Sequence, residues 1–66
     1  MMVPFDIIFQ TVDGNLVNVC PVQIRNVLIE KGTIFCPKTL VAGVDLHALK
    51  GTMINVVPGR YTVLSV

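Results

Sequence analysis

The chain has 66 residues, 53% hydrophobic and only 14% charged, with a formal net charge of +1. That length sets one small domain, residues 1–66. The five basic residues, Arg25, Lys31, Lys38, Lys50 and Arg60, are scattered, which argues against the basic stripe of a nucleic-acid binder. No apolar run approaches the roughly 18 residues of a spanning helix.

The chain order reads as short strands broken by Gly and Pro. The first run is Phe5 to Val12 and the second is Asn15 to Cys20, with Asp13-Gly14 between them. Asp-Gly favours the positive φ values of a type I′ hairpin turn. A two-residue loop sets Val12 against Asn15, Thr11 against Leu16 and Phe9 against Asn18. A bulged three-residue loop shifts those pairs by one. Pro21 lacks a ladder donor and marks an edge, a bend or a bulge.

A third run, Val22 to Glu30, meets the punctuation Lys31-Gly32, and Thr33 to Cys36 returns. Pairing across that turn joins Ile29 to Ile34 and Leu28 to Phe35, on opposite faces of one ribbon. Both faces are then apolar. A hairpin wet on one side should alternate apolar with polar, so this one is expected to be covered by a partner chain.

Leu40 to Val44 reads as a short strand with Gly43 permitting a bend. Asp45 is a candidate N-cap and Gly51 suits the left-handed position after a helix. Leu46 and Leu49, three apart, point inward together. One helical or 3-10 turn is predicted near 45–50. Met53 to Val57 is a further strand, Pro58-Gly59 fits a type II turn, and Arg60 to Val66 is a last strand, predicted at a sheet edge open to pairing. The predicted fold is all-β or mainly β: a small barrel or rolled antiparallel sheet of about six short strands.

No phosphate loop, dinucleotide fingerprint or nucleophile elbow is present. No catalytic residue, metal-ligand set or cofactor is assigned. Cys20 and Cys36, with His47, lack the close-spaced pairs typical of zinc sites, and both cysteines are expected as free thiols. The residues most able to line a small-molecule site are Asp45, His47 and Lys50, or Arg60 and Tyr61. A site built from them is expected only between subunits. If the 45–50 turn is helical, His47 and Lys50 share an exposed side.

Assembly is the stronger expectation. A chain this short buries roughly 60% of the surface its unfolded form exposes, a gain that nearly cancels the entropy of ordering it. The surplus of apolar side chains needs cover. A homo-oligomer is therefore predicted, with Leu28, Ile29, Ile34, Phe35, Val63 and Leu64 as interface candidates. The expected role is assembly or protein binding, more that of a non-enzyme than of an enzyme. An intersubunit enzyme or ligand site, and a nucleic-acid-binding ring, are the alternatives. With no basic flank and no sustained apolar segment before Asp6, neither a leader peptide nor a membrane association is expected, and the compartment is expected to be the cytoplasm.

Overall fold

A computed structural model describes residues 1–66. Ten short strands form three sheets: β1 (Met2–Pro4), β2 (Phe9–Val12), β3 (Asn15–Asn18), β4 (Val22–Ile24), β5 (Val27–Ile29), β6 (Ile34–Phe35), β7 (Leu40–Val41), β8 (Val44–Asp45), β9 (Met53–Val57) and β10 (Thr62–Ser65). The five-stranded sheet runs β1-β9-β10-β4-β5, the three-stranded sheet β2-β3-β6, and β7-β8 is a two-stranded ribbon. The mainly β expectation holds. The barrel does not: both larger sheets end in edge strands, and no pairing closes them. Nor is the larger sheet purely antiparallel, because β10 runs parallel to β4.

The β2–β3 hairpin has the two-residue register, with Phe9 opposite Asn18 and Val12 opposite Asn15. Asp13 and Gly14 take φ of 52° and 80°, the type I′ signature.

The rest of the first run departs from a strand. Phe5–Ile7 is a 3-10 turn. The fixed φ of Pro4 leads into it, and the Ile8 N–H closes onto the Phe5 carbonyl at 3.0 Å. A 3-10 turn stacks residues i and i+3 on one side, so Phe5 and Ile8 go inward together while Ile7 stays out. Strand alternation would have aligned Ile7 with Phe5 and Phe9.

The run Val22 to Glu30 is two strands, not one. Ile24 pairs with Val27 across Arg25-Asn26, and Arg25 takes φ of 55°. β5 is thereby committed to β4, and β6 pairs with β3 instead. The predicted hairpin between residues 28 and 35 does not exist. Lys31-Gly32-Thr33 crosses from one sheet to the other, so Ile29 and Phe35 enter one shared core from opposite layers.

Leu40–Asp45 is a tight ribbon turning at Ala42 and Gly43, both at positive φ. The Arg25 guanidinium donates to the Ala42 carbonyl at 2.8 Å and ties this ribbon to the β4–β5 turn. The 3-10 turn Leu46–Leu49 lies where the sequence placed it. Its Leu46 is fully buried, and Gly51 takes φ of 76°.

Pro58-Gly59 is not a type II turn, since Gly59 lacks the positive φ that type requires. The loop Pro58–Tyr61 is longer, and a Cβ on Gly59 would meet the Tyr61 carbonyl at 3.3 Å. β10 is no edge either. It lies between β9 and β4, because its Thr62 N–H continues onto the Pro21 carbonyl.

The core lies between the two larger sheets. Phe5 stacks on Phe9 at 4.7 Å between centroids, and Phe9 meets Phe35 edge-on at 5.9 Å. Val22, Ile24, Ile54, Val56 and Leu64 close it from the five-stranded side.

Candidate interaction surface

The predicted polar site residues are placed singly. The Asp45 carboxylate accepts from the His47 N–H at 3.1 Å, so it caps its own turn. The His47 ring is half-buried, with Nε2 at 3.0 Å from the Phe35 carbonyl. It therefore does not share an exposed side with Lys50, which lies open to solvent. Arg60 is exposed. The Tyr61 hydroxyl donates to the Glu30 carboxylate. That hydrogen bond, then partial desolvation, then the Glu30 charge hold the Tyr61 proton on above its usual range, and Arg60 pulls the other way.

No cavity opens near these groups or elsewhere on the surface. No three His, Cys, Asp or Glu side chains converge as a metal would need. Cys20 and Cys36 are both free thiols, and the Cys20 Sγ lies 3.7 Å from the Thr62 Oγ1.

Asn18 is the buried polar residue that sequence reasoning missed. It is 1% exposed and the only buried polar side chain. Its Nδ2 donates to the carbonyls of Cys20 and Glu30 at 2.9 and 2.8 Å. Its Oδ1 accepts from the Thr33 N–H at 2.8 Å. One amide thus fixes both the exit from β3 and the crossover from β5 to β6. A signal was present: strand alternation puts Asn18 on the face of Leu16, and a polar group on a core face must find partners.

The largest unexplained feature is the outer side of the five-stranded sheet. Antiparallel partners share a face, so the registers assign its residues. Met2 and Pro4 come from β1, Met53, Asn55 and Val57 from β9, Val63 and Ser65 from β10, Gln23 from β4, and Leu28 from β5. Met2, Leu28, Met53 and Val57 are each more than half exposed. None of the nine is charged, although the chain carries nine Asp, Glu, Lys and Arg in all.

The interface candidates divide on this frame. Ile29, Phe35 and Leu64 are buried in the chain's own core and present no surface to a partner. Leu28 and Val63 lie on the uncharged outer side. Ile34 is 63% exposed on the opposite side of the molecule, outside the three-stranded sheet.

No family model matches the chain, and no curated protein or solved structure is similar to it at a level that shows kinship. No helix is long and apolar enough to cross a membrane.

Proposed function

We propose that this chain is a small homo-oligomeric β module whose role is assembly or protein binding, with no catalytic constellation of its own. One observation carries the reading. A sheet wet on one side normally puts polar residues there, yet this outer side shows Met2, Leu28, Met53 and Val57 to solvent and bears no charged side chain. Exposed apolar faces of this kind mark sites of association. The absence of a cavity beside Asp45, His47, Lys50, Arg60 or Tyr61 gives a single-chain ligand site no support.

Light scattering on the purified chain over a wide concentration range tests the reading. The expected mass is two or more times the chain mass. A single-chain mass at every concentration overturns it.

A further inference from the structure

We infer that the outer side of the five-stranded sheet is an isologous interface, on which a second copy packs face to face with its two-fold axis at Val63. This rests on the self-assembly reading and adds the surface and the symmetry.

In-plane strand addition is the competing mode, and the edges are arranged against it. Pro4 on the β1 edge has no N–H to offer. Beside β5, the Glu30 carbonyl already accepts from Asn18 Nδ2 and from Thr33 Oγ1, at 2.8 and 2.7 Å. On the β6 edge the Phe35 carbonyl is engaged by His47. Three of the four edges of the two larger sheets are thus blunted, while the broad face is left open.

The face suits its own copy. None of its side chains is charged, so no like-charged side chains oppose one another across the axis; the one charge beside it is the N-terminal ammonium, which donates to Asn55 Oδ1 at 2.8 Å. Its polar members, Gln23, Asn55 and Ser65, are neutral amides and a hydroxyl that can both donate and accept. The size is adequate. One side of a body 28 × 21 × 20 Å is roughly a sixth of its surface, or about 650 Å² of the 3974 Å² total. A specific interface needs about 500 Å² per partner and a standard one about 800 Å². The outer side of the three-stranded sheet offers only Gln10, Val12, Asn15, Val17 and Ile34, too few side chains for that area.

The symmetry follows from strand order. β10 is the third of five strands. A two-fold axis in the plane of the interface and through the centre of the face lays β10 on β10 of the second copy, whether it runs along the strands or across them. The row Val57, Val63, Gln23, Leu28 crosses the sheet, and Val63 is its member on the middle strand. With sheets about 10 Å apart, the two Val63 side chains meet at the axis.

A charge-swap experiment tests this. Val63→Lys and Val63→Glu, each alone, oppose like charges across the axis. Self-association should then weaken about a hundredfold or more. Mixed one to one, the two variants should recover a pair of one chain of each kind, read by light scattering and native mass spectrometry. Single-chain mass for the unmodified protein removes the self-assembly reading itself. An assembling wild type with Val63 variants that keep its mass, or whose mixture fails to recover a pair, overturns this placement alone. If neither Val63 variant folds by circular dichroism, the more exposed Val57→Lys and Leu28→Lys should each dissociate the assembly while Ile34→Lys leaves it intact. The reverse pattern, or no dissociation at Val57 and Leu28, overturns the placement.

Discussion

The Asn18 amide holds three backbone groups at once, and no other side chain makes as many hydrogen bonds to the backbone. Asn18→Ala strands the Cys20 carbonyl and the Thr33 N–H, and leaves the Glu30 carbonyl with the Thr33 hydroxyl as its one remaining donor. A lost hydrogen bond costs about 1 kcal/mol net, and more where the orphaned group stays out of water. The expected loss is about 2–4 kcal/mol in urea unfolding with an unchanged slope. Asn18→Asp should be at least as harmful, because an acceptor-only carboxylate would face two carbonyl oxygens. Tyr61 carries the second prediction at this scale. Its folded pKa is raised, first by the hydrogen bond to Glu30, so the folded state holds the phenolic proton more tightly than the unfolded chain does. The stabilisation is fully present below the unfolded value of 10.0 and is lost as pH rises through the higher folded value. Tyr61 is the only tyrosine and there is no tryptophan, so phenolate absorbance reports this group alone. The native titration midpoint should lie above 10.0 and fall back in urea. A midpoint unchanged by urea would mean the Glu30 bond does not form in solution.

Local turn chemistry decided which elements were legible. Asp13-Gly14 marked the β2–β3 hairpin, because both residues accept positive φ readily, but left its register open between a two-residue and a bulged loop; the structure has the two-residue one. Asp45 and Gly51 bounded the second 3-10 turn for the same kind of reason, one through a side-chain acceptor and one through backbone freedom. The Arg25-Asn26 turn carries no such mark. Its positive φ at Arg25 coexists with a long-range tie to Ala42, which no local pattern encodes. Lys31-Gly32 looked like hairpin punctuation, yet the Gly32 and Thr33 N–H groups both bond Asn18, the former at its carbonyl and the latter at its side chain. Those bonds turn the chain out of one sheet and into the other. The doubly apolar segment around residues 28–35 is therefore not one ribbon with two apolar faces but two strands in different sheets. Its inward members, Ile29 and Phe35, face one core between two layers, and its outward members, Leu28 and Ile34, lie on opposite surfaces. The outer face of the five-stranded sheet could not be assembled from sequence at all, since it joins β1 to β9 and sets β10 beside β4.

At the scale of the whole molecule, size and composition pull apart. The accessible surface is 3974 Å², close to the roughly 4,100 Å² that scaling assigns to a compact chain of this mass. The chain is already well folded on itself, so looseness does not explain its exposed apolar groups. The core takes 13 apolar residues, and 12 large apolar side chains remain in the open. Self-association that shields the four of them on the outer side of the five-stranded sheet should stabilise the fold by mass action, because the unfolded chain does not take part. Melting temperature should then rise with protein concentration, by roughly 3–5 °C per tenfold for a chain this small whose unfolding is coupled to dissociation. Leu28→Lys should flatten that dependence, since it puts a charge on the uncharged face without touching the core. A wild-type melting temperature that stays constant across two decades of concentration would show that the 13-residue core holds the fold without help from a second copy.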